Sequence, residues 1–194
     1  VVFGAGAIGL FAAQWARLSG ASCVVQVDVR DDSLKIARDC GGDVVIHAAK
    51  EDPVDVVLSL TRGKGADLAI EAAGTPESSA QAFRCVRRRG RIALVGRVDG
   101  EWLMPEDVLT GLLRKEQTVY GNWGFDVQPF PANDWTIAAE AFSQRRLTVL
   151  PMITHLFRLE EIHRAVRMMS SRSEFFCKVM IVMDEKLQKE KLMI

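Results

Sequence analysis

Three glycines near the start of the chain, Gly4, Gly6 and Gly9, have the spacing G-x-G-x-x-G. They stand between a short β-branched run and a stretch with helical periodicity, a context in which such a turn binds a pyrophosphate. Gly4 would permit the tight turn, Gly6 would let a phosphate approach the backbone, and Gly9 would let helix and strand pack closely. The free N–H groups of Ala7 and Ile8 would then face the phosphates, helped by the helix dipole. The alternative is a glycine turn that binds nothing.

An acidic residue, Asp28, lies where the second predicted strand ends, 19 residues beyond Gly9. A carboxylate at this place can accept hydrogen bonds from both hydroxyls of an adenosine ribose. A 2′-phosphate about 4 Å from that carboxylate would be opposed by roughly 1 to 4 kcal/mol. The spacing therefore predicts NAD as the cofactor, with Arg30 able to soften the preference. The alternative is that Asp28 only caps the following helix, although Asp31 and Asp32 are also available to cap it.

Two further predicted strands end in small residues. Residues 71–74 (E-A-A-G) end one of them, and residues 94–97 (L-V-G-R) end the other. Ligands of open parallel sheets bind at the carboxyl ends of the strands, where small residues leave room. We therefore expect Gly74 and Gly96 to contact the cofactor. Glu71 is expected to be an ordinary carboxylate, partly buried and paired, and a role in the site is the alternative.

Composition and charge exclude several classes of function. The chain is 48% hydrophobic, which suits a globular core, and its 25 Lys and Arg residues cancel its 25 Asp and Glu residues. No overall field therefore attracts nucleic acid or an anionic membrane. The arginine-rich run at 84–91 lacks interleaved aromatic residues and is expected to be a solvated helix C-terminus. The longest uncharged run, 1–16, is too short to span a membrane. We therefore expect no nucleic-acid partner, no membrane partner and a cytoplasmic location.

The spacing of the histidines and cysteines does not suit a metal site. His47, His155 and His163 show no H-E-x-x-H pattern, and the four cysteines match neither paired zinc ligands nor a disulfide framework. Buried free thiols are expected instead. The only tyrosine, Tyr120, is followed four residues later by glycine and not by the lysine of a short-chain dehydrogenase, and Ile8 stands where a G-x-G-x-G methyltransferase needs glycine. No catalytic and no metal-binding residue is predicted in this chain.

Alternating strands and helices must position these residues. Strands are predicted at 1–3, 23–28, 43–47, 67–72, 91–95 and 118–121. The first helix is the clearest because apolar residues recur at helical spacing from Ile8 to Ala16, and Gly20 follows where a C-terminal glycine belongs. Strands that are separated by helices must be parallel, with the helices on both faces of one twisted sheet. The predicted fold class is therefore a doubly wound α/β sheet.

The pattern changes after about residue 150. Pro151 breaks the chain, and a strand at 152–157, a helix at 159–169 and a strand at 178–182 follow. We predict a cofactor-binding domain at 1–150, a separate segment at 151–183 and a charged, frayed tail at 184–194. Because the first residue is a valine inside an apolar run, the sequence is expected to be a piece of a longer protein.

Taken together, these residues resemble the C-terminal half of a zinc-type medium-chain dehydrogenase/reductase of the polyol branch, over residues 1–182. The resemblance is carried by G-A-G-A-I-G at 4–9, Asp28, E-A-A-G at 71–74, L-R-K-E-Q-T-V-Y-G at 113–121 and P-M-I-T-H at 151–155, followed by Phe157 and 159–160. Asn122 and Trp123, with 129–131 and 134–135, are similar to the subgroup that acts on phosphorylated polyols, with the sorbitol enzymes second.

The resemblance implies a Rossmann domain that binds NAD, followed by the C-terminal remnant of a GroES-like catalytic domain. It implies hydride exchange between NAD and a secondary alcohol of a polyol or polyol phosphate, with a zinc ion polarising the oxygen. The residues that would line the cofactor by position are Ile8, Asp28, Gly74, Val95, Gly96 and Asn122. Trp123 would lie near the substrate. The family's zinc ligands are absent from this chain, so the chain alone is expected to bind NAD without turnover.

The resemblance also implies a homo-oligomer, a dimer or tetramer, because members of this family pair along the sixth strand. Two other functions stay open. A zinc-independent quinone reductase of the same superfamily would prefer NADPH, against which Asp28 argues. A non-catalytic module that senses NAD would lack zinc ligands in the whole protein.

Overall fold

The computed structural model describes residues 1–124 and 133–183. The chain divides into two compact units, Val1–Thr148 and Val149–Ile194. The predicted tail at 184–194 and the residues at 129–131 lie outside the described residues.

The first unit alternates strands and helices along the chain. Its strands are β1 (Val2–Phe3), β2 (Val25–Asp28), β3 (Val44–His47), β4 (Ala66–Glu71), β5 (Val86–Leu94) and β6 (Thr118–Gly121). Its helices are α1 (Ala7–Leu18), α2 (Asp31–Asp39), α3 (Pro53–Leu60), α4 (Pro76–Cys85), α5 (Glu106–Arg114) and α6 (Asp134–Ser143). The strands pair in parallel in the order β3-β2-β1-β4-β5-β6, which confirms the doubly wound sheet. Among the described helices, none combines the length and the apolar character needed to cross a bilayer.

Helices cover both faces of this sheet because neighbouring residues of a strand point to opposite sides. On one side, Val2 packs with Ala13 of α1 and with Val24. On the other side, Phe3 belongs to the larger core, to which three helices contribute buried residues, among them Val57 of α3, Phe83 of α4 and Val108 of α5. The short strand β1, buried from both sides, is therefore the centre of the fold.

Helix α1 has a glycine at each end. Gly6 is its N-cap residue and has no side chain, so the N-cap position gives the first N–H groups of the helix no hydrogen-bond acceptor. At the other end, Gly20 has φ +97°, and its N–H donates to Arg17 O at 3.0 Å while Ala21 N donates to Ala16 O. These two bonds form a Schellman motif, which confirms the predicted glycine end.

The arginine-rich run was wrongly predicted to be a helix end. Only Arg84 lies in the last turn of α4, because the chain enters β5 at the fully buried Val86. The arginines that follow are exposed and form ion pairs with acids that are distant in sequence: Arg87 with Asp67, and Arg88 and Arg89 with Glu116. These pairs hold the charged residues at the start of a strand, where the local sequence favours a solvated helix end.

The second unit contains a parallel pair of strands joined by a helix. β7 (Ile153–Arg158) pairs with β8 (Lys178–Val182), and α7 (Ile162–Ser171) lies between them in the chain. The side chains of Phe157, Ala165 and Met168 are buried together. The helix predicted from residue 159 begins at Ile162, because Leu159–Glu161 form a 3-10 turn.

Asp43, which lies just before β3, connects the end of α1 to the residue that precedes β2, and we expect its charge to stabilise the fold modestly. Its carboxylate accepts a hydrogen bond from Val24 N at 2.6 Å and one from the Arg17 guanidinium. These donors, the backbone N–H first, hold the pKa of Asp43 below its ordinary value of 3.8. The substitution Asp43→Asn should lower the free energy of unfolding at pH 7 by up to about 1 kcal/mol, because the pair is partly exposed and screened.

The pH dependence of this difference follows from the direction of the shift. A carboxyl group with a lowered folded pKa stabilises above its unfolded pKa and loses that contribution as the pH falls through the folded value. The gap between wild type and Asp43→Asn in urea unfolding should thus be constant above about pH 5 and shrink below about pH 4. The control is Asp39→Asn, which removes an exposed carboxylate of α2. A gap that grew on acidification would contradict the assignment.

Candidate functional site

The carboxyl ends of five neighbouring strands bring the predicted site residues to one edge of the sheet. Along the strand order they are Asp28 at the end of β2, Gly4 after β1, Gly74 after β4, Val95 and Gly96 after β5, and Asn122 after β6. Backbone hydrogen bonds continue the pairing beyond the strand ends, from Gly4 N to Val27 O at 2.8 Å and from Asn122 N to Leu94 O at 2.9 Å. Strands β2 and β3 are added on one side of β1, and strands β4 to β6 are added on the other side. Open α/β sheets bind ligands in the crevice at this switch point, which here lies between β1 and β4.

The three glycines of the first turn differ in the space that a side chain would have. Gly4 has φ +93°, and a Cβ there would lie 2.8 Å from Ala73 N. A Cβ at Gly9 would overlap the carbonyl oxygen of Gly4, whereas a Cβ at Gly6 would have no atom within 4 Å. The turn is therefore tightly packed on its inner side and open at Gly6, and this open cradle fits a pyrophosphate.

The first turn of α1 faces this opening. It contains no acidic residue, and Leu10 N is the first to donate inside the helix, to Gly6 O at 2.9 Å. The N–H groups of Ala7 and Ile8 precede it and accordingly have no partner within the helix. The Ile8 side chain is 63% exposed, which is high for an apolar residue of a buried helix. The geometry suits an anion with an apolar group beside it.

The carboxylate of Asp28 is fixed against the glycine turn. Its Oδ2 accepts a hydrogen bond from Ala5 N at 2.7 Å, and its Oδ1 accepts one from Arg30 N at 2.9 Å. Arg30 is the N-cap residue of α2, so Asp28 contacts the start of that helix as well as the glycine turn and does not only cap the helix. Each oxygen retains a second lone pair that a ribose hydroxyl can use. The contact with Ala5 could not be found from side-chain types because the donor is a backbone N–H.

Glu71 differs from its prediction, because it is neither partly buried nor ion-paired. Its side chain is fully buried, with 0% exposure. Its Oε1 accepts hydrogen bonds from Ala73 N at 2.9 Å, Gly74 N at 2.9 Å and Ser78 Oγ at 2.8 Å. Its Oε2 is buried without a hydrogen-bond partner, and no ion pair to Glu71 is found within residues 1–124 and 133–183. Two of the donors are therefore backbone N–H groups of the turn that directly follows Glu71.

Ser78 is a site residue that the sequence interpretation missed. Helix α4 starts with a capping box in which Thr75 Oγ1 accepts a hydrogen bond from Ser78 N and Ser78 Oγ accepts one from Thr75 N. The same Ser78 hydroxyl donates to Glu71, so the cap also fixes the buried carboxylate. The available signal was the pattern T-P-x-S just after the fourth strand.

Asn122 and Trp123 follow the last strand of the sheet. Asn122 is exposed, and its side-chain amide donates only weakly, to Tyr120 O at 3.4 Å. The indole of Trp123 is 85% exposed. Both residues lie at the same edge of the sheet as the glycine turn, and among the described residues the side chain of Asn122 has a hydrogen bond to Tyr120 O but none to the glycine turn.

The described residues do not fit a zinc ion. Across 1–124 and 133–183, no three residues of the types His, Cys, Asp and Glu lie close enough together to hold a metal. His47 lies 3.8 Å from Asp31, and His155 lies 3.8 Å from Glu174, each as a single pair. No step through a metal is derived from these residues.

Comparison with known proteins shows which family the chain is similar to. A profile described as zinc-binding dehydrogenase matches residues 7–144. L-threonine 3-dehydrogenase from Bacillus subtilis (strain 168) is 31% identical over 175 residues, which are 88% of this chain and 47% of that protein. The crystal structure of galactitol-1-phosphate dehydrogenase from Escherichia coli is similar with a TM-score of 0.84 and 28% identity, covering 94% of this chain and 52% of that one.

A putative zinc-binding dehydrogenase from Sinorhizobium meliloti 1021, bound to NADP, has a TM-score of 0.81 and 25% identity, covering 94% of this chain and 51% of that one. The chain spans about half the length of the curated relatives it matches. Sequence and sheet order agree with the resemblance stated above, and the chain belongs to the zinc-binding dehydrogenase family.

Proposed function

We propose that this chain is the cofactor-binding part of an NAD-dependent dehydrogenase that oxidises a secondary alcohol of a polyol or polyol phosphate. The observation that carries the proposal is the open turn at Gly6 beside the Asp28 carboxylate, which Ala5 N holds in place at 2.7 Å. An open anion cradle next to a fixed acid suits a diphosphate joined to a ribose with two free hydroxyls.

The chain's own residues would bind and orient the cofactor. A nicotinamide ring accepts or donates a hydride when it is bound. Asp28 would accept the hydrogen bonds of the adenosine ribose, and the N–H groups of Ala7 and Ile8 would hold the pyrophosphate at the start of α1. The remaining nucleoside would then lie on Gly74, Val95, Gly96 and Asn122, on the other side of β1. None of these residues is assigned a proton transfer.

The choice of NAD over NADP rests on Asp28. The Sinorhizobium meliloti relative was solved with NADP, so NADP is the real competitor. Both oxygens of Asp28 accept hydrogen bonds from backbone N–H groups, which hold the carboxylate in place, so a dianionic 2′-phosphate at the ribose would lie against a negative charge. The repulsion of about 1 to 4 kcal/mol at roughly 4 Å favours NAD.

The substrate and the remaining parts of the protein are inferred from the relatives. Galactitol-1-phosphate dehydrogenase is among the similar structures, which supports a polyol phosphate as the substrate. In this proposal Trp123 lies near that substrate. In this proposal residues 1–150 bind NAD, residues 151–183 complete a GroES-like catalytic domain, and zinc is bound outside the described residues. Copies would pair along β6, an edge strand of the sheet, whose four residues are exposed.

The substitution Asp28→Asn tests the cofactor assignment. Asparagine keeps one acceptor oxygen and the shape of the side chain but removes the charge. The ratio of Kd for NADPH to Kd for NADH should fall by about five-fold to several hundred-fold, because the repulsion of the 2′-phosphate is lost. Titration of the purified chain with both cofactors, followed by calorimetry, measures it. The matched control is Asp32→Asn, an exposed carboxylate in α2, whose ratio should equal that of wild type.

Two outcomes would contradict the proposal. Wild-type chain that is folded and binds neither cofactor would exclude the dinucleotide site. An unchanged preference in Asp28→Asn would show that this carboxylate does not choose the cofactor.

A further inference from the structure

We propose that Glu71 is a fixed negative charge beneath the nicotinamide half of the cofactor site, and that it makes the protein favour the oxidised, positively charged ring over the neutral reduced ring. This inference rests on the proposed function, because it requires a nicotinamide cofactor in the crevice. It assigns a task to a buried carboxylate that the binding scheme above does not use.

The first argument is the burial of a carboxylate without a counter-ion. Glu71 is fully buried, three donors converge on its Oε1, and no cation pairs with it among the residues that the structure describes. Its Oε2 has no hydrogen-bond partner within the described ranges, 1–124 and 133–183. A buried charge without a counter-ion destabilises a protein unless another group compensates it. A cationic ring bound above it would do so.

The second argument is where this oxygen lies. A Cβ placed on Gly96 would come within 2.6 Å of Glu71 Oε2, so the oxygen is directly against the backbone at Gly96. Glu71 Oε1 accepts the N–H of Gly74, and the Glu71 carbonyl accepts the N–H groups of Val95 and Gly96 at 2.8 Å. Residue 71 thus connects the two turns, after β4 and after β5, that are proposed to line the cofactor.

The third argument is the direction in which the cofactor lies across the sheet. Asp28, at the end of β2, would hold the adenosine ribose, and β1 with the pyrophosphate turn is the next strand. The nicotinamide nucleoside would therefore continue over β4 and β5, the next two strands. With neighbouring strands about 4.8 Å apart, a ring held there would lie within about 10 Å of the Glu71 carboxylate.

The size of the effect follows from Coulomb's law. NAD⁺ and NADH differ by one positive charge on the ring. A unit charge about 10 Å away, at an effective dielectric constant of roughly 20 to 40, changes their relative affinity by about 4-fold to 15-fold. The basic residue that follows Gly96 does not cancel it, because the Arg97 side chain is 73% exposed and lies 3.6 Å from Asp99.

The test is the substitution Glu71→Gln, which keeps the size of the side chain and removes the charge. Kd for NAD⁺ and Kd for NADH are measured by calorimetry on the whole chain, wild type and variant. The ratio Kd(NAD⁺)/Kd(NADH) should rise by about 4-fold to 15-fold. An unchanged ratio overturns the inference. Failure of the wild type to bind either cofactor overturns the proposed function instead, so the two failures are distinguishable.

A second variant separates charge from structure. Ser78→Ala removes one donor to Oε1 but keeps the carboxylate, so both Kd values can change while their ratio stays within about two-fold of wild type. A shift in Ser78→Ala equal to that in Glu71→Gln would make the effect structural and overturn the inference. Glu77→Gln, at an exposed carboxylate in the first turn of α4, is the matched control and should leave the ratio unchanged.

A measurement on the wild type covers the case in which Glu71→Gln does not fold. Salt screens exposed charges but screens buried ones much less. The ratio Kd(NAD⁺)/Kd(NADH) should therefore stay within about two-fold between roughly 0.05 and 0.5 M NaCl. A larger change would assign the preference to surface charges and overturn the inference.

Discussion

Replacing Gly6 with aspartate should abolish measurable NADH binding while leaving the fold as stable as before or slightly more stable. The backbone at Gly6 is extended, with φ −75° and ψ 178°, and a Cβ there would touch nothing within 4 Å. Aspartate is a preferred N-cap residue, so its carboxylate would accept the free N–H groups of α1. The carboxylate would thereby occupy the position of the pyrophosphate and repel its negative charges. Losing two charge-assisted hydrogen bonds weakens binding by at least about 100-fold.

The opposite direction of the two effects makes this result informative. Urea unfolding should show a change in the free energy of unfolding of about 0 to +1 kcal/mol for Gly6→Asp, and calorimetry should show no heat with NADH. Gly111→Asp is the control, since a Cβ at this glycine of α5 also has no atom within 4 Å and the charge change is the same. It should bind NADH like wild type. If Gly6→Asp kept its affinity, the turn would not be a phosphate site.

The fold was predictable to the extent that its strands carry their own local signals. β-branched runs bounded by Gly and Asp located all six strands of the sheet, and the limits of β6 and β8 were predicted to the residue. β5 was predicted from residue 91, although it begins at Val86. What fixes its first residues is pairing with β4 and ion pairs to Asp67 and Glu116, and neither is visible in the local sequence.

The site was predictable wherever the backbone itself requires a residue type. Gly4 and Gly9 are dictated by close backbone contacts, and an acid at the end of β2 has a simple positional signal. The burial of Glu71 was not predictable in this way. Its stabilising partners are two amides of its own turn and the hydroxyl of Ser78, so an apparently ordinary strand-end acid becomes a buried charge only after the turn and the cap have formed.

The largest loss of stability is expected from Gly9→Ala. A Cβ at this position of α1 would overlap the carbonyl oxygen of Gly4, and Gly4 cannot retreat because Ala72 and Ala73 lie against its other side. The helix must therefore move away from β1, the most central strand. We expect the free energy of unfolding to fall by about 3 kcal/mol or more, which far outweighs the roughly 1 kcal/mol that alanine gains in a helix.

Urea unfolding gives the free energy of unfolding of Gly9→Ala and of Gly111→Ala. The second variant shows the gain in helix propensity without a steric clash, so the difference between the two measures the cost of the clash. Gly111→Ala, which adds a methyl group with no atom within 4 Å, should be unchanged or more stable by up to about 1 kcal/mol. A loss below about 1 kcal/mol in Gly9→Ala would mean that α1 can shift on β1 without penalty. The expected large loss would show that the two glycines of one turn have different tasks: Gly9 is needed for the helix to reach the sheet, and Gly6 is needed only when a phosphate binds.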